Sequence, residues 1–193
     1  MTATTLQRKT YTAEEYLALE TESPIRHEFR NGKIVERAGG TPEHNEIATM
    51  LSFLMMTTLR KQPYSIFVAD QRLWLPDANL HTYPDVMVTP KPPELKSGRN
   101  DTVINPILIA EVLSKSTQGY DRGDKFQAYR TSETFQEYVL VDQYRPYVEH
   151  YVKQAADQWL LTTYSGLETS FTLASVGVDI KLAELYEAIT FDV

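Results

Sequence analysis

Two acidic residues stand where acids are costly. Asp85 follows Pro84 in the strand-like stretch Tyr83 to Thr89, and Glu111 interrupts the apolar run Ile107-Leu108-Ile109-Ala110-Glu111-Val112-Leu113. A carboxylate inside such a strand loses its hydration and needs a compensating partner. A divalent cation is one such partner. Neighbouring strands lie about 4.8 Å apart, so carboxylates on the same face of adjacent strands can reach one magnesium ion at roughly 2.0–2.1 Å. A salt bridge from Glu111 to a core-facing cation such as Arg72 is the other. The first arrangement predicts that Asp85 and Glu111 converge on one cleft from adjacent strands.

A third charge follows. Asp121-Arg122-Gly123-Asp124-Lys125 opens a helix, and Lys125 and Tyr129, four residues apart, share a face. A lysine above a metal-bound phosphate can orient the attacking water or stabilise charge on the phosphorus oxygens. Lys125 can equally pair with Asp121, also four apart, on a solvated surface, and Asp121 itself reads as a helix N-cap. Other chemistries find no support. The eight glycines form no phosphate loop, the four histidines lack zinc spacing, and no G-x-S-x-G elbow is present. The absence of cysteine excludes disulfides, thiolate metal sites and cysteine nucleophiles.

Thr12-Ala13-Glu14-Glu15 is a capping box opening a helix to about Glu20. Ile25 to Phe29 and Lys33 to Arg37 flank Asn31-Gly32, a hairpin signal. Thr41-Pro42 starts a helix with Ile47, Met50, Leu51, Leu54 and Leu59 on one stripe, ending near Gln62-Pro63. Ser65 to Leu75 is strand-like, Leu80 to Pro90 holds a second strand, Tyr83 to Thr89, ending at a Pro, and Lys91 to Thr102 is a loop. Pro106 to Leu113 is a central strand covered on both faces. A short helix over Asp121 to Thr131 precedes three strands, Phe135 to Val141, Tyr147 to Lys153 and Trp159 to Tyr164. Lys181 to Ala188 forms a terminal helix. Tyr138, Tyr147 and Tyr151 alternate on strands and read as core or dimer contacts. The sum is an α/β (α+β) domain, one mixed β-sheet flanked by helices.

Bulk properties set limits. A chain of 193 residues, 42% hydrophobic and 23% charged, fits one globular domain over residues 1–193. The net charge of −7 weighs against a protein that coats nucleic acid. It leaves room for a nuclease, because a bound divalent ion reverses the local sign. The lack of cysteine, a polar N-terminus and no apolar run of about 20 residues point to a cytoplasmic location and no membrane span.

Taken together, Tyr83-Pro84-Asp85-Val86, Leu108 to Thr117, Asp121-x-x-x-Lys125-x-x-x-Tyr129 and Glu137 to Asp142 resemble the Uma-type (Uma-two) endonucleases, abundant in cyanobacteria and part of the PD-(D/E)xK phosphodiesterase superfamily. Arg26 to Val35 resembles that family's first hairpin, and Pro42-Glu43-His44-Asn45 the opening of its long helix. The resemblance spans nearly the whole chain. It implies a restriction-endonuclease-like fold, Asp85, Glu111 and the backbone carbonyl of Val112 as ligands of Mg2+ (or Mn2+), DNA as substrate, and a homodimer, to which the tyrosine-rich strands from Phe135 to Tyr164 could also contribute apolar surface. The superfamily lysine normally lies two residues after the second acid, where this chain has Leu113. The resemblance moves that lysine to Lys125, with Lys115 the alternative. Glu28 matches the family hairpin and is an additional candidate for the site; Glu46, His44 and Asp70 are lesser ones. The acidic charge and Leu113 favour a rival reading, a catalytically idle nuclease-like fold serving as a binding or assembly module.

Overall fold

The computed structural model describes residues 9–37 and 39–191. Helix α1 (Ala13–Glu22) opens on a complete capping box: the Thr12 hydroxyl accepts the Glu15 N–H at 3.1 Å and the Glu15 carboxylate accepts the Thr12 N–H at 2.8 Å. Strands β1 (His27–Arg30) and β2 (Lys33–Glu36) pair antiparallel across Asn31-Gly32, whose φ angles of 45° and 88° are those of a type I′ turn. Helix α2 (Pro42–Leu59) begins at Thr41, whose hydroxyl accepts the His44 N–H at 3.2 Å, with Pro42 in the first turn where a missing N–H costs nothing.

Neither the strand-like stretch Ser65 to Leu75 nor the stretch Leu80 to Pro90, expected to hold one strand over Tyr83 to Thr89, is a single strand. The first divides into β3 (Tyr64–Val68) and β4 (Arg72–Leu75), the second into β5 (Leu80–Thr82) and β6 (Val86–Pro90). At the first break Ala69 adopts a φ of 51°. At the second, Pro84 has no N–H to offer a ladder. Both breaks carry the chain between sheets, so the single sheet expected from sequence is replaced by three. One has the order β2-β1-β5-β4-β7, where β7 is Thr102–Val103. The second has the order β11-β10-β9-β8-β6-β3, from β8 (Leu108–Leu113), β9 (Glu137–Asp142), β10 (Tyr147–Ala155) and β11 (Gln158–Ser165). It is mixed: β8 and β9 run parallel and the other pairs antiparallel. The third, unanticipated, is the hairpin β12 (Ser170–Leu173) and β13 (Val178–Lys181).

Residues 118–129 form a helical segment of α3 (Gln118–Tyr120), a π-helical turn (Asp121–Lys125) and α4 (Phe126–Tyr129). Because the helix starts three residues earlier than expected, Asp121 is not its N-cap. It lies inside the segment with its carboxylate buried. The terminal helix α5 is confined to Leu182–Leu185.

Strand β8 is buried at all six positions, as its apolar run requires. One face of its sheet packs on α2 and the β12–β13 hairpin through Leu51, Met55, Val88, Ala110, Val112 and Ile180. The other packs on residues 118–129 and the five-stranded sheet through Met87, Ile109, Leu113, Phe126, Tyr138 and Leu73. Strand alternation therefore assigns Asp85 and Glu111, each out of step with the first set, to this second face.

Candidate active site

The β6–β8 register pairs Val86 with Ala110 and Met87 with Ile109. One further step puts Asp85 opposite Glu111. The Asp85 N–H donates to Glu111 Oε2 at 3.3 Å, and the Val112 N–H donates to Asp85 Oδ2 at 2.9 Å. The two carboxylates thus face one cleft from adjacent strands.

The helical segment supplies the cation. Lys125 Nζ lies 2.8 Å from Glu111 Oε1, 3.6 Å from Asp121 Oδ1 and 3.8 Å from Glu28 Oε1. One turn on, the Tyr129 hydroxyl donates to the same Glu111 oxygen at 2.6 Å. Glu28 arrives from β1 and is held by the Thr82 hydroxyl at 2.6 Å and by Arg30 at 2.6 Å. Asp85 takes a different pair: Arg37 Nη2 at 2.7 Å on one oxygen and His44 Nε2 at 3.0 Å on the other. The close approach of the chain before α2 helps seat that imidazole, since a Cβ at Gly40 would stand 2.7 Å from His44 Nδ1.

Four carboxylates, Asp85, Glu111, Glu28 and Asp121, are buried around one buried ammonium. Burial drives the Glu111 carboxyl upward, aided by the charges of Asp85 and Asp121 and only partly offset by Lys125. Asp85 moves the other way: burial opposes ionisation, but the hydrogen bond and charge of His44, with Lys125 and Arg37, hold it below the usual carboxylate range. Burial also disfavours the Lys125 ammonium, yet Glu111, Glu28, Asp121 and Asp85 outweigh it and keep the proton on.

The other sequence candidates fall outside. Glu46 is exposed on α2. Asp70 is exposed and paired with Arg26 at 2.9 Å. Lys115 lies beyond the end of β8 with its ammonium over the Tyr144 ring. Arg72, the alternative partner for Glu111, bonds the Tyr83 hydroxyl and Asp101 instead. The solvated Lys125–Asp121 pair is corrected as well, because Lys125 is buried and closer to Glu111. Arg37 went unread. It meets Asp85 across 48 residues of chain, and no local pattern announces such a contact. The Tyr129 contact has a local signal, its four-residue spacing from Lys125 on one helix face.

Among the described residues no group of three or more His, Cys, Asp or Glu side chains is arranged to hold a metal ion. Two carboxylates are nonetheless a sufficient protein contribution for magnesium, which fills its remaining positions with water and substrate phosphate. Hard oxygen donors and an excess of buried acid suit such an ion.

The family model Uma2, described as "Putative restriction endonuclease", matches residues 13–183. A protein of Synechocystis sp. described as "Uncharacterized protein sll1609" is 43% identical over 158 residues, covering 82% of this chain and 89% of its own. A second, "Uncharacterized protein slr1290", is 33% identical over 178 residues, 92% of each chain. A crystal structure from Anabaena variabilis described as "a putative nuclease belonging to DUF820" superposes with a TM-score of 0.72 at 18% identity, over 92% of this chain and 98% of that one. It shares the restriction-endonuclease-like fold. With a family model spanning the segment that carries Glu28, Asp85, Glu111 and Lys125, this chain belongs to the Uma2 family.

Proposed function

We propose that the protein is a metal-dependent endonuclease that hydrolyses DNA phosphodiester bonds. The observation that carries this is the cross-strand pairing of Asp85 with Glu111 beside a buried lysine. Asp85 and Glu111, with the Val112 carbonyl that the family resemblance adds, would hold Mg2+ or Mn2+. Such an ion, when bound, supplies Lewis-acid polarisation of the phosphate and a water of lowered pKa. The residues of the chain do the rest. Lys125, kept protonated by its acidic neighbours, presents fixed positive charge to oxygens that gain charge during hydrolysis. Tyr129 orients Glu111 through its hydroxyl. Glu28, anchored by Thr82 and Arg30, adds a further carboxylate beside the ammonium. Arg37 and His44 neutralise Asp85 while no other cation does.

The test is cleavage of plasmid, linear duplex and single-stranded DNA with Mg2+ or Mn2+, beside titration calorimetry of the same ions. Cleavage that stops in EDTA is expected. Absence of both cleavage and ion binding would remove the reading. A second reading, an idle nuclease fold acting as a binding module, draws on Leu113 and on the full occupation of Asp85 by Arg37 and His44. Under it, DNA or a protein partner binds and nothing is cut. We also infer a cytoplasmic homodimer: β11 is an edge strand of the six-stranded sheet and exposes Leu160 and Leu161, and an open edge invites pairing. Light scattering giving only monomer at micromolar concentration would refute the dimer.

A further inference from the structure

The parallel pairing of β8 with β9 sets two loops side by side at the end of the sheet that holds Glu111. Glu111 is in register with Leu140 and Leu113 with Asp142. Lys115 and Tyr144 each lie two residues past the latter pair, on the segments that leave the two strands.

The loop after β9, Gln143-Tyr144-Arg145-Pro146, is tied down almost throughout. Gln143 is buried, donates to the Leu113 carbonyl at 2.8 Å and accepts the Thr41 hydroxyl at 2.8 Å. Asp142 accepts the Tyr144 N–H at 2.8 Å and Arg145 Nε at 3.1 Å. The Tyr186 hydroxyl donates to the Asp142 carbonyl at 2.8 Å. From this fixed base Tyr144 projects with 50% of its surface exposed. Its hydroxyl accepts the Lys115 N–H at 3.4 Å, and the Lys115 ammonium sits 5.3 Å from its ring centre. Beside it the Arg145 guanidinium lies 4.3 Å from the Tyr147 ring. Each of these tyrosines thus carries a cation, in a chain whose net charge is −7.

A rigid, half-exposed ring with cations beside it is the arrangement that binds an unpaired base and its phosphate: the ring stacks on the base and the cation meets the backbone. We propose that Tyr144 and Lys115 form a nucleotide subsite for single-stranded DNA, a few nucleotides along the strand from the Asp85–Glu111 cleft. The subsite rests on the nuclease reading for its substrate. It makes unpaired strand, rather than closed duplex, the preferred ligand, because bases inside a duplex cannot reach a ring face.

The experiment is fluorescence anisotropy in EDTA with a labelled 20-mer of thymidylate and a labelled duplex of equal length, alongside Mg2+-supported cleavage of the same two probes. The wild type is expected to bind the single strand more tightly. Tyr144→Ala should weaken single-strand binding about tenfold and leave duplex binding unchanged, while Tyr144→Phe retains it. Lys115→Ala should weaken both and lower the salt slope for the single strand by about 0.7, one phosphate contact. Far-UV circular dichroism of the variants checks the fold. Equal binding by wild type and Tyr144→Ala, or no wild-type binding to the single strand at 10 µM (roughly the range of non-specific affinities), would overturn the subsite. The two readings fail separately. Cleavage indifferent to Tyr144 removes the subsite and spares the nuclease. Tyr144-dependent binding without cleavage does the reverse.

Discussion

Two buried carboxylates of the six-stranded sheet, Glu137 and Glu111, lead opposite lives. Glu137, fully buried in β9, accepts the backbone N–H groups of Ala174 at 2.8 Å and Ser175 at 2.9 Å, the Ser175 hydroxyl, and a contact from His150 Nε2. Its donors come from the turn between β12 and β13 and from β10, so it rivets that hairpin to the sheet. Glu111 also has donors, Lys125 and Tyr129, but Asp121 and Glu28 share the same ammonium. The comparison teaches that burial alone does not mark a site. A buried acid saturated by donors of its own holds elements together. A buried acid that shares one ammonium with other carboxylates is the better candidate for a site.

The largest expected effect separates activity from stability. Glu111→Gln keeps the shape and the Tyr129 and Lys125 contacts while removing one charge, so DNA cleavage should fall at least 10²- to 10³-fold, the scale of losing a key electrostatic group. The thermal midpoint should stay within about 2 °C, the range of a few tenths of a kcal/mol. An early-melting Glu111→Gln protein would erase the contrast with Glu137. Next comes the rivet. Glu137→Ala strands the Ala174 and Ser175 N–H groups and His150, so urea unfolding should show a loss of about 3–5 kcal/mol, with the remaining folded protein cutting at the wild-type rate.

A third buried polar group sharpens the scale. His81 on β5 stacks on Trp74 at 4.1 Å, and neither ring nitrogen has a hydrogen-bond partner among the described residues. Burial, with Lys96 and Arg72 adding to it, pushes its pKa down to about 3. Its folded pKa lies below the unfolded value of about 6.5, so its contribution is present above pH 6.5 and is lost as pH falls toward 3. The slope is at most about 1.4 kcal/mol per pH unit, and denaturant titrations of His81→Leu against wild type should show a flatter curve in that window. The smallest effect is at Asp70. Its exposed pair with Arg26 should be worth under about 1 kcal/mol, and Asp70→Asn should leave cleavage unchanged; a large loss of activity there would extend the site beyond the buried cluster.

Features that depend on neighbours a few residues apart are legible in the chain before it folds. The capping box at Thr12, the Asn31-Gly32 turn, the Thr41-Pro42 helix start and the all-buried strand around Glu111 follow from local sterics, hydrogen bonding and hydrophobic period. So does the shared face of Lys125 and Tyr129. The order of the segments from Tyr83 to Asp142 was also enough to indicate the family. The remainder is long-range. The breaks at Ala69 and Pro84 distribute four short strands over two sheets, because a chain can change sheets wherever its ladder fails, and no local signal says which partner it meets next. Asp121 looked like a cap and is a buried acid because the helix begins at Gln118. Glu28, Arg37 and His44 reach Lys125 and Asp85 from remote elements. Their meeting depends on the register between β6 and β8, the seating of α2 on the sheet and the closure of the first hairpin against Thr82, all products of packing across the core.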